Sequence, residues 1–305
     1  MMKAIVTGAC GFVGSHLVKV LVSHGIEVLC IDLKIDAARL PKSELVKTLS
    51  LSIASIDQLE KTVTNGEYDL FYHFAWVGSA GPLRMDENVQ VQNAMWTVAC
   101  LRTAKAIGCK RFVCAGSIME FEAHEAIYAQ ESKPGMPYLY GVGKVLAHEL
   151  CKPIANQLGI DLVWAYITNA YGVGESSPRF INTTLRKINN HEKLEFTSGT
   201  QNYDFIYIDD VAEAFYLLGI KGKANKGYII GSGHAKPLKE FILEMTNANC
   251  PDNPPLFGEV PFTGVNIPLT TFGTSEIEKD CGFAPKVSFA EGTKRTMDWL
   301  KEVDH

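Results

Sequence analysis

The chain has 305 residues, of which 47% are hydrophobic and 21% are charged, and its formal net charge is -5. This composition excludes a disordered chain, and the small negative charge argues against nucleic acid as a partner. The length suits one large α/β unit or two closely joined domains. Since no stretch is long and apolar enough to cross a bilayer, we expect no membrane partner either.

The first residues and the cysteines indicate the compartment. Residues 1–9 enter an apolar run and a glycine-rich turn without the basic segment and long apolar stretch of a secretory signal. The eight cysteines include no C-x-x-C pair, and no group of histidines and cysteines has the spacing of a metal site. We therefore expect a cytoplasmic protein with reduced cysteines and no bound metal.

Short apolar runs alternate with helix-like stretches through the first half of the chain. The pattern predicts strands at residues 3–7, 27–31, 70–74, 111–114 and 162–167, and helices at residues 12–24, 88–107 and 138–158. This alternation indicates the α/β class, with a Rossmann-type doubly wound parallel sheet. Pro153 should kink the third helix or end its regular part early.

The pattern changes at Asn169, after which turn-rich pieces interrupt short helices and strands. We therefore assign residues 1–168 to a dinucleotide-binding domain and residues 169–305 to a smaller C-terminal α/β substrate-binding domain. Segments of the second domain are allowed to interleave with the first.

A glycine-rich turn follows the first predicted strand and opens the first helix. Gly8 permits the tight turn, Gly11 lets backbone N–H groups approach a pyrophosphate, and Gly14 allows close packing of the helix. Phe12 and Val13 lie within the same turn, and we expect them to bind the cofactor as well. The positive end of the helix dipole favours a phosphate at this point, so the motif predicts a dinucleotide cofactor.

Asp32 ends the second predicted strand at the distance that this dinucleotide motif requires. A carboxylate there accepts hydrogen bonds from both ribose hydroxyls and repels a 2′-phosphate, so NAD is favoured over NADP. Lys34 weakens that preference slightly.

Tyr140 and Lys144 are four residues apart in a predicted helix, so both emerge on one face. A nearby ammonium favours the phenolate form of a tyrosine. We expect Tyr140 to act as general acid or base on a carbonyl or hydroxyl oxygen, with Lys144 holding the nicotinamide ribose. Ser117, at the carboxyl edge of the sheet, would bind the same oxygen. Helix capping is the alternative role for such a serine.

These features together resemble an extended short-chain dehydrogenase/reductase, and more narrowly the NAD-dependent epimerase/dehydratase family that acts on nucleotide sugars. The resemblance extends over nearly the whole chain, including residues 203–211 and 281–285. It implies a nucleotide-sugar substrate and a homodimer formed by the two long helices. It also implies further residues beside the cofactor, namely Ser52, Ile53, Phe74, Ala75, Trp76, Asn93, Ala115, Ile167 and Asn169, the last of which also meets the substrate. His73 would be a structural strand-end histidine.

Two departures from the family pattern concern the reaction. Sugar dehydratases carry an Asp-Glu pair directly after the catalytic hydroxyl residue, and here Ile118 and Met119 occupy those positions. Neither side chain can exchange a proton, so dehydration is disfavoured. Glu120 is one place too late, although it remains a possible substitute.

The second departure concerns the arginines that clamp the nucleotide pyrophosphate. Tyr203 stands where relatives usually carry one of them, and the region before Asn266 lacks the other. Arg84 and Arg179 are candidate replacements, because a guanidinium binds phosphate in a bidentate manner.

Three functions fit these residues. The first is a 4-ketoreductase, in which Tyr140 protonates the carbonyl oxygen that Ser117 holds. The second is a nucleotide-sugar 4-epimerase that uses the same residues and keeps its NAD tightly bound. The third is a non-catalytic NAD(H)-sensing protein, which is disfavoured because such a protein would be expected to lose Tyr140 or Lys144. The sequence favours the first of these, since Trp76 replaces a usually small residue.

Overall fold

The structure is a computed structural model, which describes residues 2–131, 133–262 and 264–304. Its strands are β1 (Lys3–Thr7), β2 (Glu27–Asp32), β3 (Val46–Ser50), β4 (Leu70–His73), β5 (Arg111–Ser117), β6 (Asp161–Ile167), β7 (Asn169–Tyr171), β8 (Glu195–Phe196), β9 (Asn202–Tyr203), β10 (Phe205–Tyr207), β11 (Lys226–Ile230), β12 (Lys236–Pro237) and β13 (Leu256–Phe257). Its α-helices are α1 (Phe12–Ser23), α2 (Leu59–Thr62), α3 (Glu87–Ala106), α4 (Met119–Tyr128), α5 (Leu139–Leu158), α6 (Phe180–Asn189), α7 (Ile208–Lys221), α8 (Leu238–Asn249), α9 (Ser275–Cys281) and α10 (Phe289–Val303).

Seven strands form one parallel sheet in the order β11-β6-β5-β4-β1-β2-β3. The chain builds from β1 to β2 and β3 and then returns to the other side of β1 with β4, so the direction of winding reverses between β1 and β4. In such sheets the ligand crevice opens outside the carboxyl ends of the strands at this reversal. The Rossmann-type parallel sheet that the sequence predicts is confirmed.

Both faces of the sheet are covered, because alternate residues of its buried strands point to opposite sides. In β1, Ala4 and Val6 pack into one core with α1 and α7, whereas Ile5 packs into the other with α3 and α5. Helices α3 and α5 approach closely: a Cβ at Gly143 would lie 3.0 Å from the backbone oxygen of Gln90. Helix α5 carries Tyr140 and Lys144 to the carboxyl end of the sheet.

The predicted strands and helices agree with the structure to within one to three residues at their ends. Strands β3 and β11 were not predicted. Strand β3 is partly exposed at the sheet edge and so lacks a continuous apolar run. The apolar run of β11 is interrupted by Gly227, which packs against the Tyr166 ring. Of the two outcomes predicted for Pro153, an early end of the regular helix is wrong, because α5 continues to Leu158, and a kink stays a prediction. Pro153 and Glu149, whose carbonyl loses its helical partner, are both exposed, so water can replace the missing bond.

The chain after Asn169 returns to the first half of the molecule. Strand β11 pairs with β6 in the main sheet, and α7 packs on α1. The remaining strands pair two by two, as β7 with β10, β9 with β12 and β8 with β13. Within the described residues, no helix combines the length and hydrophobicity needed to cross a membrane. The same residues contain no group of three or more His, Cys, Asp or Glu side chains arranged to hold a metal ion.

Candidate active site

A cavity of about 480 Å³ lies at the carboxyl ends of the central strands. It brings together residues that are far apart in the chain, from the turn after β1, the end of β2, the segments after β4 and β5, helix α5 and the segment after β6. Most of the predicted site residues line it, namely Gly8, Gly11, Phe12, Val13, Gly14, Asp32, Ser52, Ile53, Phe74, Ala75, Trp76, Ala115, Ser117, Tyr140, Lys144, Ile167 and Arg179.

The glycine turn after β1 leaves no room for side chains. Gly8 has a positive φ of 70°, which glycine adopts without strain. A Cβ at Gly14 would lie 2.2 Å from the Gly8 carbonyl oxygen. The turn therefore offers bare backbone and the amino end of α1 to the cavity, which suits a pyrophosphate.

The Asp32 carboxylate is held beside this turn. One oxygen accepts a hydrogen bond from the Cys10 N–H at 2.9 Å, and the other accepts one from the Leu33 N–H at 2.8 Å. Each carboxylate oxygen has a further lone pair, so Asp32 can still accept hydrogen bonds from a ligand. This geometry suits the two hydroxyls of an adenosine ribose.

Lys144 is almost fully buried, with 4% of the residue exposed. Its ammonium donates to the Ala115 carbonyl oxygen at 2.8 Å and lies 3.7 Å from the centre of the Trp76 ring. The centre of the Tyr140 ring is 5.8 Å from the same nitrogen. The ring of Tyr140 is bordered by Trp76 on one side and by the Arg84 guanidinium, 4.1 Å from its centre, on another. Tyr140 and Lys144 thus share one wall of the cavity.

Ser117 is the last residue of β5 and lines the same wall. Its hydroxyl oxygen accepts a hydrogen bond from the Met119 N–H at 3.2 Å, so it does cap the start of α4. The hydroxyl proton is not used by that bond and remains available to a ligand. Capping and ligand binding are therefore compatible in this serine.

Three predicted site residues lie outside the cavity lining. Arg84 donates to the Ser79 carbonyl oxygen and stacks on Tyr140, and burial lowers its pKa. Asn93 exchanges two hydrogen bonds with the backbone of Val77 and so supports the segment after β4. Asn169 donates to the Asp204 carbonyl oxygen. Each of these side chains is engaged within the protein.

Arg179 lines the cavity and is already paired. Its Nε is 3.1 Å from Glu175 Oε2 and 3.3 Å from Ser177 Oγ. Because 44% of the side chain is exposed, the pair can rearrange around a ligand. Arg179 is thus the better placed of the two predicted phosphate ligands.

Sequence reasoning missed Arg39, which lines this cavity and donates to the Gly174 carbonyl oxygen, 135 residues further along the chain. Arg39 belongs to no local pattern, so only the folded chain could have identified it. Thr168, between the predicted Ile167 and Asn169, also lines the cavity, and its buried hydroxyl has no hydrogen-bond partner among the described residues.

Two residues that the sequence singled out are structural. The His73 ring lies between the hydroxyls of Thr7 and Thr97, and burial lowers its pKa to about 3. Glu120 is 2% exposed and lies outside the cavity lining, with its carboxylate bonded to Ser117 and Trp164. The alternative that Glu120 replaces the missing dehydratase acid is therefore not supported by its position.

Comparisons with known proteins agree with this geometry. The family model described as NAD dependent epimerase/dehydratase family matches residues 4–231. The UDP-N-acetyl-alpha-D-glucosaminuronate decarboxylase of Bacillus cytotoxicus is 24% identical over 332 residues, covering 99% of each chain. The UDP-glucuronate 4-epimerase of Thermodesulfobacterium geofontis is 25% identical, covering 98% of this chain and 96% of its own.

A similar solved structure is a UDP-N-acetylglucosamine 4-epimerase from Methanobrevibacter ruminantium M1, in complex with UDP-N-acetylmuramic acid. It has a TM-score of 0.83 and 21% sequence identity, over 99% of this chain and 98% of its own. At this identity the likeness concerns the fold. The names of the relatives cover more than one reaction, so the reaction has to be argued from the side chains.

Proposed function

Because this chain belongs to the NAD dependent epimerase/dehydratase family, we propose that it is an NAD-dependent oxidoreductase acting at the 4-position of a nucleotide-activated sugar. The observation that carries the proposal is the one cavity that Ser117, Tyr140 and Lys144 line together with a glycine turn and Asp32. Hydride exchange with a carbinol or ketone needs this combination of a dinucleotide site and a proton donor.

The residues present fit NAD. The bare backbone from Gly8 to Gly14 would hold the pyrophosphate, and the close approach of Gly14 to the Gly8 carbonyl oxygen fixes the shape of that turn. Asp32 would hold the adenosine ribose, and the Thr168 hydroxyl, which has no partner in the described part of the chain, would meet the nicotinamide end or the sugar. Lys144 has one carbonyl partner and can donate further bonds to a ribose.

NAD(H), when bound, supplies the hydride chemistry. The protein residues handle the proton: in reduction, the Tyr140 phenol gives its proton to the oxygen of the sugar carbonyl, and in oxidation it accepts the proton back. The Ser117 hydroxyl donates a hydrogen bond to that same oxygen and holds it in place. Positioning these groups before the reaction removes much of the entropic cost.

Dehydration does not fit the residues that follow Ser117. Ile118 and Met119 carry no proton donor, and the Glu120 carboxylate is bonded inside the protein. We favour net 4-keto reduction because the large ring of Trp76 lies against Lys144 and has its centre 6.0 Å from that of the Tyr140 ring, so it occupies space beside the reacting residues. A 4-epimerase must let its keto-sugar turn over inside the pocket, which a bulky ring at this place opposes.

The second candidate is a 4-epimerase, the activity that two of the relatives' names print. The two are separated by screening UDP-, dTDP-, GDP- and CDP-sugars and their 4-keto forms while following the absorbance of NADH. A reductase consumes NADH in proportion to a keto-sugar. An epimerase purifies with NAD and interconverts sugars with no net change in NADH. If no sugar nucleotide or keto-sugar reacts under either condition, the proposed function is wrong.

We also propose a homodimer through α3 and α5. Val91 and Met95 of α3 are one turn apart and about half exposed, and Val142 of α5 is 40% exposed. Sedimentation of the wild type and of Met95→Lys tests this: the wild type should sediment as a dimer and the variant as a monomer. If the wild type and Met95→Lys both sediment as monomers, the homodimer proposal is contradicted.

A further inference from the structure

The carboxylate of Glu120 is buried directly behind Ser117. It lies in the first turn of α4 and is 2% exposed. Its Oε1 accepts hydrogen bonds from the Ser117 N–H at 2.8 Å and from the Trp164 indole N–H at 3.0 Å. A buried carboxylate is costly unless it is hydrogen-bonded, so these bonds are constraints that the fold maintains.

Ser117 and Glu120 are arranged much as in the S-x-x-E capping box at a helix start, except that the serine oxygen accepts from the N–H of Met119 and not from that of Glu120. The Ser117 oxygen accepts from the Met119 N–H while the Ser117 N–H donates to Glu120. Both the backbone and the hydroxyl oxygen of Ser117 are therefore held. With one lone pair of the oxygen taken by Met119, the O–H bond is confined to fewer directions.

Gly116 shows how closely this arrangement is packed. A Cβ at that position would lie 2.2 Å from the Trp164 indole nitrogen and 2.7 Å from Glu120 Oε1. A side chain there would displace the indole or the carboxylate. Gly116, near the end of β5, is thus packed directly against the hydrogen-bonded pair of Glu120 and Trp164.

The same carboxylate faces the helix that carries the other reacting residues. Tyr140, Lys144 and His148 are spaced by four residues and form one stripe of α5. His148 Nδ1 lies 3.5 Å from Glu120 Oε2, and its ring stacks on Trp164 with centroids 4.3 Å apart. Lys144 reaches the Ala115 carbonyl oxygen two residues before Ser117. Helix α5 therefore contacts the end of β5 at both Ala115 and, through Glu120, Ser117.

We infer that Glu120 is a positioning residue, which holds the Ser117 hydroxyl in register with Tyr140 so that both meet the same substrate oxygen. The inference rests on the proposed function for the identity of that oxygen. Glu120 touches neither substrate nor cofactor in this role and acts through Ser117. The His148 ring of α5 packs beside this carboxylate and on the Trp164 ring that bonds to it.

Kinetics of Glu120→Ala and Glu120→Gln test this inference, with Glu125→Ala as the matched control. Glu125 is an exposed carboxylate on the same helix. We expect Glu120→Ala to lower kcat by about 10- to 100-fold, the effect of small misplacement at a reacting centre, with KM changed less than about threefold. Glu120→Gln keeps an acceptor for the Ser117 N–H and should recover most of the loss. A rise in KM alone, or no recovery by Gln, would overturn the inference.

A double-mutant cycle separates positioning from general damage. If Glu120 acts through Ser117, then Glu120→Ala should add less than about threefold to the loss already caused by Ser117→Ala. Losses that multiply would mean that Glu120 acts elsewhere, which contradicts the inference. Circular dichroism on each variant establishes that the fold is retained.

A crystal structure of Glu120→Ala decides the matter without reference to turnover. The Ser117 hydroxyl should leave its bond to the Met119 N–H or occupy more than one rotamer, whereas Glu125→Ala should leave it in place. If the Ser117 hydroxyl keeps its position in the crystal structure of Glu120→Ala, the inference is overturned, whatever the activity of that variant. If the wild type reacts with no sugar nucleotide, the proposed function fails, and this structure still shows whether Glu120 holds Ser117.

Discussion

The Lys144 ammonium lies 3.7 Å from the centre of the Trp76 ring, and the indole N–H of Trp76 donates to the Gln90 side-chain oxygen at 2.9 Å. Gln90 is itself held by the carbonyl oxygens of Gly78 and Leu83. The aromatic face that covers the ammonium is therefore anchored from behind. A cation on the face of a tryptophan is stabilised by about 1 to 2 kcal/mol when it is shielded from water.

Replacing Trp76 should therefore loosen Lys144. We predict that Trp76→Ala lowers kcat/KM by about tenfold, since about 1.4 kcal/mol corresponds to that factor, whereas Trp76→Phe keeps a ring and loses less than about threefold. Steady-state kinetics with NADH and the reactive keto-sugar measure this. Equal losses in both variants would show that the ring does not support Lys144. Trp299, on α10, provides a control substitution outside the cavity lining.

Tyr140→Phe removes the proposed proton donor and leaves the ring between Trp76 and Arg84. General acid catalysis contributes about 10²- to 10⁴-fold, so kcat should fall by that factor. The dissociation constant of NADH, measured by fluorescence, should change little. Tyr138→Phe is the matched control, because the Tyr138 hydroxyl bonds to the Ala123 carbonyl oxygen and the residue does not line the cavity. Unchanged turnover of Tyr140→Phe would remove the catalytic proposal.

Asp32→Ala should weaken the preference for NAD over NADP. The substitution removes the acceptors for the ribose hydroxyls and the charge that repels a 2′-phosphate. Since a hydrogen bond to a charged group contributes about 1.5 to 3 kcal/mol, we expect NAD to bind at least tenfold more weakly. Binding of both cofactors can be measured by calorimetry. Asp36→Ala is the control, because Asp36 caps a short turn outside the cavity lining. An unchanged ratio of the two affinities would contradict the role given to Asp32.

Gly14→Ala should abolish dinucleotide binding and lower the stability of the fold. The new methyl group would lie 2.2 Å from the Gly8 carbonyl oxygen, so the turn has to move. We expect a loss of about 1 to 3 kcal/mol in the free energy of unfolding, as for other overpacked sites. Gly135→Ala introduces the same methyl group where its neighbour is 3.6 Å away and should be tolerated. Urea denaturation of the two variants compares them directly.

His73 should make the fold less stable in acid. Burial lowers its pKa to about 3 from the ordinary value of 6.5. Between these values the unfolded chain binds a proton that the folded chain does not, so stability is full above pH 6.5 and falls as the pH is lowered through this window. From pH 6.5 to pH 5 the loss is about 1 to 2 kcal/mol.

The comparison with His73→Gln isolates this contribution. The variant should be less stable overall, because it disturbs the bonds to Thr7 and Thr97, but its stability should depend less on pH. Urea denaturation at both pH values measures the difference. A variant with the same pH dependence as the wild type would show that His73 does not titrate in this manner.

Several features could be recognised in the sequence because they depend on neighbouring residues. Gly8, Gly11 and Gly14 act within one turn, and Tyr140 and Lys144 act within one turn of helix, so spacing alone relates them. The apolar runs of the buried strands are equally local. The S-x-x-E pattern at Ser117 and Glu120 was also present, but a capping box predicts a helix start and does not indicate what else the serine does.

Other features depend on which strands become neighbours, and a linear pattern does not carry that information. The reversal between β1 and β4 brings the glycine turn beside Phe74 and Ala75, and sheet order brings Trp164 behind Gly116. The link from Arg39 to Gly174 arises the same way. Because short-range geometry is set by the backbone of a few residues, the glycine turn and the class of its cofactor could be predicted from the sequence. The partners of Lys144, Glu120 and Arg84 could not be, because packing between distant segments selects them.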